Sequence, residues 1–171
     1  MLELTGSIIG IDPSANSTGI VVLGGDATVQ FAAAIRPKNK DWSRILAHDF
    51  HALCVISSHK ICLGVIEGYS IGSRGRALHL MVEVGAAYRL ALSKQGIPWI
   101  SVAPSALKKF VTGDGAAKKK QMRGRVKRVW GFEHKIEDVV EAYALARLGL
   151  ENLKDGNSLN LNEMFVSPVL S

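Results

Sequence analysis

The chain has 171 residues, 47% of them hydrophobic and 21% charged, a size and mix that build one folded domain with a sizeable core and exclude a disordered or fibrous protein. The net charge is +6, from 21 Lys plus Arg against 15 Asp plus Glu. No apolar run approaches the ~20 residues of a membrane span and the start is acidic rather than basic, so a soluble, cytoplasmic protein with no membrane partner is expected.

Ser7–Asp12 is short, apolar and β-branched, and predicts a first strand. Pro13–Ser17 supplies turn residues before Thr18–Leu23, and Gly24-Gly25-Asp26 turns the chain into Thr28–Ile35, so three antiparallel strands open the domain. Trp42, Ile45, Leu46, Phe50, Leu53 and Cys54 recur at helical spacing between Trp42 and Ser58, and Ile61–Ile66 reads as a buried strand. The Gly/Ser-rich stretch Glu67–Arg76, with Arg74 and Arg76, leads into a long helix Arg76–Gln95 that Gly96 stops. Ile97–Val102 is a further strand. Pro104 stands at a permitted first helical position before Ser105–Val111, a basic helix runs from beyond Gly113-Asp114-Gly115 to about Trp130, and Ile136–Leu148 is a last amphipathic helix. Residues 151–171 show few periodic signals and are expected as a peripheral tail to a domain spanning 1–150. Cys54 and Cys62 lie in apolar stretches without metal-ligand spacing and are expected as buried thiols.

The positive charge is concentrated. Residues 105–135 hold Lys108, Lys109, Lys118, Lys119, Lys120, Arg123, Arg125, Lys127, Arg128 and Lys135 against only Asp114 and Glu133, while everything else sums to −2. A solvated helix face normally mixes signs, but Ala116–Trp130 contains no acid. This footprint points to a polyanion, most simply nucleic acid.

The acids are informative where their surroundings are apolar, because a buried carboxylate needs a partner, a proton or a metal. Asp12 and Glu67 each close an apparent core strand, and in α/β sheets such strand ends face the ligand crevice. Asp138 and Glu141 are three apart, on one face of the last helix. Taken alone, each acid also reads as a turn cap, a loop carboxylate or a solvated helix face. Together they offer four oxygen ligands suited to Mg²⁺, and a pair of ions about 4 Å apart is the usual device for in-line phosphodiester cleavage.

Four blocks carry a family resemblance. Ile9-Gly10-Ile11-Asp12-Pro13 with Ser17-Thr18-Gly19, and Val65-Ile66-Glu67, resemble the first strand, hairpin and second acid-bearing strand of the RuvC family of Holliday-junction resolvases, within the ribonuclease H-like superfamily. Pro104, Lys108, Val111, Gly113, Gly115, Ala117, Lys119 and Gln121 follow the family pattern P-x-x-x-K-x-x-V-x-G-x-G-x-A-x-K-x-Q without a gap, and Asp138–Ala144 resembles its D-x-x-D-A-x-A helix with Glu141 in place of the second Asp.

The resemblance implies a mixed five-stranded sheet, three antiparallel strands then two parallel, flanked by helices. It implies Asp12, Glu67, Asp138 and Glu141 as catalytic ligands of two Mg²⁺ ions, with Mn²⁺ able to substitute, and Lys119 and Lys108 as cations that contact the DNA backbone or the transition state. Tyr69 takes the place of an aromatic that stacks at the junction centre. Arg74, Arg76, Lys109, Lys118, Lys120 and Arg123 would add DNA contacts. A homodimer with two active sites is implied, acting on four-way branched DNA in the bacterial cytoplasm, or the host's if the chain is a phage member, which its small size suits. The alternatives are a broader nuclease of flaps, forks or RNA–DNA hybrids, and a non-enzymatic junction-binding protein. A sugar-kinase or actin-like ATPase shares the G-I-D-x-S opening but needs two such domains.

Overall fold

A computed structural model describes residues 6–14, 16–38, 42–69, 76–154 and 164–165. Along the chain come β1 (Ser7–Asp12), β2 (Thr18–Leu23), β3 (Val29–Ile35), α1 (Ser43–Ser57), β4 (Ile61–Glu67), α2 (Arg76–Lys94), β5 (Trp99–Val102), α3 (Pro104–Thr112), α4 (Lys119–Trp130), α5 (Glu137–Lys154) and β6 (Met164–Phe165). The sheet order is β3-β2-β1-β4-β5-β6. β1, β2 and β3 pair antiparallel, whereas β4 and β5 run parallel to β1. This is the expected five-stranded arrangement, to which the two residues of β6 add an antiparallel edge on β5.

β1 and β2 are buried along their whole length because both faces of the sheet are covered, which is why their sequences are apolar at every position instead of at alternate ones. On one face Ile9, Ile11, Ile20 and Val22 meet Ile45, Ala52, Val55 and Ile56 of α1 and Val84, Tyr88 and Leu92 of α2. On the other, Ile8, Val21, Leu63 and Val65 meet α3, α4 and above all α5. His48 is fully buried in the first layer, its Nδ1 3.0 Å from the Tyr88 hydroxyl. It is a core histidine.

Two expectations change, and the facing of one helix is settled. The apolar periodicity of α1 locates the helix, but Trp42, Leu46 and Phe50 are 66%, 59% and 64% exposed. They share one stripe at four-residue spacing, opposite the stripe of Ile45, Ala52 and Val55 that meets the sheet. Cys54 continues the outer stripe and is exposed, and Cys62, near the outer end of β4, is half-buried, so neither is a buried thiol. The last helix runs on to Lys154, because Leu150 is fully buried and Arg147 pairs with Glu151 at 2.9 Å one turn on.

Candidate active site

The parallel register of β1 with β4 sets Ile11 beside Ile66, so the acids that follow them, Asp12 and Glu67, leave the sheet at the same end. α5 crosses above that end. It comes close because two strand positions carry no side chain: a Cβ on Gly10 would lie 2.0 Å from the Ala142 carbonyl oxygen, and one on Gly19 2.0 Å from that of Asp138. The two glycines thus seat the first turns of α5 against the hairpin and bring Glu141 over Asp12.

Carboxylate oxygens of Asp12, Glu67 and Glu141 lie within 4.8 Å of one another, a group that can hold a metal ion. Asp12 and Glu141 are only 3% and 4% exposed. Burial pushes the Asp12 carboxyl well above the usual range, and the charges of Glu67, Glu141 and, more weakly, Asp138 push the same way. Burial, then the Glu141 charge, raises Glu67 to about 7, although a hydrogen bond with Asp12 and the charges of Lys119 and Lys108 pull it back. Lys119 reaches in from α4, its Nζ 2.9 Å from Glu141 Oε1 and 4.0 Å from Glu137 Oε2. Burial works against the ammonium, but Glu141, Asp12 and Glu137 outweigh it and its pKa is raised. Glu141 Oε1 has no well-formed hydrogen bond, its close partner being the ammonium charge.

One ammonium facing three crowded carboxylates leaves the pocket short of positive charge. Hard oxygen donors packed in a partly dry site fit a divalent cation of the magnesium kind. Asp138, in the first turn of α5, is half-buried and felt by Asp12, but its carboxylate stands outside the trio.

The cations divide by face. Lys119 and Lys108 act electrostatically on the acids, and Arg123 donates to the His134 carbonyl at 3.0 Å. Lys109, Lys118 and Lys120 are exposed. Lys120, Arg125 and Arg128 line an open groove of about 490 Å³ with Thr112, Gln121 and Gly124. Arg125 and Arg128 belong to the basic block but had no separate signal in sequence. Tyr69 is 36% exposed, with its hydroxyl 2.6 Å from Nη1 of Arg89, a residue twenty positions on that no local motif marks. Arg74 and the side chain of Arg76 lie outside the described residues.

Residues 8–148 match the family model of the crossover junction endodeoxyribonuclease RuvC. The chain belongs to the RuvC family. The RuvC of Chlorobaculum parvum is 30% identical to it over 149 residues, 81% of this chain and 78% of that protein. That of Rhodopirellula baltica is 29% identical over 150 residues, 83% and 84% of the two chains. Among solved structures, Thermus thermophilus RuvC superposes with a TM-score of 0.76 at 16% identity over 88% of this chain and 96% of its own. The same protein in complex with a Holliday junction substrate gives 0.77 at 17% identity. The ribonuclease H-like architecture expected from sequence is the one observed, and RuvC membership makes the chain a crossover junction endodeoxyribonuclease.

Proposed function

We propose that this RuvC-family chain resolves four-way DNA junctions by paired symmetric nicks, using two Mg²⁺ ions per active site, for which Mn²⁺ substitutes. The observation that carries the reading is the buried trio of Asp12, Glu67 and Glu141 with Lys119 against it. Those acids, joined by Asp138 from one turn earlier on α5, are the proposed ligands. Ions held by these acids would supply an activated water and stabilisation of the leaving oxygen. The protein's part is to hold the carboxylates converging, with Lys119 and Lys108 favouring the charged form of Glu67 against its burial.

Lys119 and Lys108 offset charge on the scissile phosphate, each already within electrostatic reach of Glu67. The Glu141 side chain is one methylene longer than the family's aspartate, and its ion pair with Lys119 sets where its oxygens stand. Tyr69, two residues beyond Glu67, stacks on a base at the crossover in this proposal. Lys109, Lys118, Lys120 and Arg123, with Arg74 and Arg76, hold the phosphate backbone. Two copies associate through the α1/α2 side, where Trp42, Leu46, Phe50, Val82 and Leu90 are exposed.

The test is cleavage of end-labelled four-way junction, fork, flap, RNA–DNA hybrid and linear duplex in Mg²⁺ or EDTA. We expect symmetric nicks in the junction, lost in EDTA, and a fall of at least ~10²–10³-fold in Asp12→Asn with junction binding retained. Equal cutting of forks and flaps would identify a broader branch nuclease. Binding with no cutting in Mg²⁺ would leave a junction-binding protein.

A further inference from the structure

Tyr69 is anchored by its hydroxyl as well as by its ring. The hydroxyl donates to the Val82 carbonyl oxygen of α2 at 3.2 Å and accepts from Arg89 Nη1 at 2.6 Å. The same guanidinium lies over the tyrosine ring, 4.9 Å from its centroid, and 5.5 Å from that of Trp99 on β5. Among the described residues no carboxylate pairs with Arg89. Its charge is therefore held by two aromatic faces and a hydroxyl.

Room for this arrangement comes from Gly85, one helical turn before Arg89. A Cβ there would stand 2.7 Å from Arg89 Nη1 and 3.0 Å from the Tyr69 hydroxyl. Val82, Gly85 and Arg89 thus form a seat on α2 that fixes the direction of a partly exposed ring at the end of β4.

We propose that Arg89 is a positioning residue that presents the Tyr69 ring to a base at the crossover, with Gly85 as the space that lets it do so. The assignment rests on the stacking role given to Tyr69 above. An aromatic held before the substrate arrives loses less rotational freedom on stacking, so the seat acts on substrate capture more than on the chemical step. The hydroxyl is the handle. A phenylalanine at this position could stack but could not be held this way.

The test uses the full chain and a four-way junction carrying 2-aminopurine at the crossover, whose fluorescence reports unstacking, measured in EDTA, with cleavage kinetics in Mg²⁺. Tyr69→Ala should abolish the fluorescence rise. Arg89→Met and Tyr69→Phe should each reduce it about 3- to 10-fold and raise KM more than they lower kcat, and the loss in the double variant should fall well short of the product of the two, because both remove the Arg89–hydroxyl contact. Arg89→Lys should recover part of the loss. Gly85→Ala alters neither Tyr69 nor Arg89 chemically and favours the helix but puts a methyl into the space between them, so an Arg89→Met-like defect at unchanged thermal stability would support the seat even if Arg89→Met folds poorly. A full fluorescence rise in Arg89→Met, or losses that multiply in the double variant, would overturn the assignment while leaving Tyr69 its stacking role. Wild-type fluorescence and cleavage in Tyr69→Ala would overturn the stacking role and the Arg89 assignment with it.

Discussion

Glu67 shows why a metal site is a liability to the fold that carries it. Its carboxyl is raised from 4.5 to about 7 by burial and by Glu141, and Asp12 is raised for the same reasons. The folded metal-free chain therefore holds both protons more tightly than the unfolded chain, and for Glu67 the stability contributed is present below pH 4.5 and lost as pH rises through 7. His48 has the opposite sign: burial lowers it to about 4, so its contribution is present above its usual 6.5 and lost as pH falls through 4. The Glu67 effect is best read as a difference. Melting curves in EDTA should show Glu67→Gln gaining on wild type between pH 5 and 8, by ~1–3 kcal/mol at the upper end. Magnesium should erase that gain by binding only the wild-type acids, and parallel profiles for the two proteins in EDTA would mean the carboxyl is not perturbed. The sequence displayed all three acids of this trio, Asp12 and Glu67 because an acid closing a β-branched run is conspicuous, and Glu141 through its three-residue spacing from Asp138 on the last helix. It could not display their convergence, which depends on the register of β1 with β4 and on how closely α5 approaches.

That approach is decided between elements. Nothing about Gly10 and Gly19 in a list of residues says that a helix backbone passes within contact of them, although both sit in strands where a glycine is otherwise a weakness. Gly19→Ala forces a methyl against the Asp138 carbonyl, and backbone cannot step aside as a flexible side-chain tip would. It should cost about 3 kcal/mol or more and weaken Mg²⁺ binding in whatever protein still folds, by lifting the turn that carries Asp138 and Glu141; a stable variant with native metal affinity would show that the close packing does not seat the site. α4 carries a second lesson. Its charges were legible as a block, but helical geometry separates Lys119, turned to the acids, from Lys120, Arg125 and Arg128, which line the groove on the opposite side. If that groove holds the backbone of a duplex arm, Arg125→Gln/Arg128→Gln should flatten the dependence of log Kd on log salt by about 1.8. Cleavage at saturating junction should barely change, and an unaltered salt slope would remove the groove from the DNA path.

At the scale of the molecule, the exposed apolar residues of α1 remain to be placed. The periodicity that located α1 assigned no direction to its two stripes, and only the packing of Ile45, Ala52 and Val55 on the sheet reveals that Trp42, Leu46 and Phe50 look outward. α1 and α2 pack on the same face of the sheet, and α2 adds Val82 at 38% and Leu90 at 53% exposure. Apolar side chains of this size gathered on one side are costly to leave in water. A two-fold interface would bury each patch against its own copy, and it would set two acid clusters in fixed relation, as paired nicks in opposed strands require. Sedimentation should then give twice the monomer mass at micromolar concentration. Phe50→Glu with Leu90→Glu should return the monomer mass while leaving thermal unfolding close to wild type, since neither side chain supports the core. Without a coupled second site, the first nick would no longer be followed by its partner within the lifetime of the complex, so singly nicked junctions should accumulate. Resolution by paired nicks from a species of monomer mass would refute the interface and require the two cuts to come from successive, independent encounters.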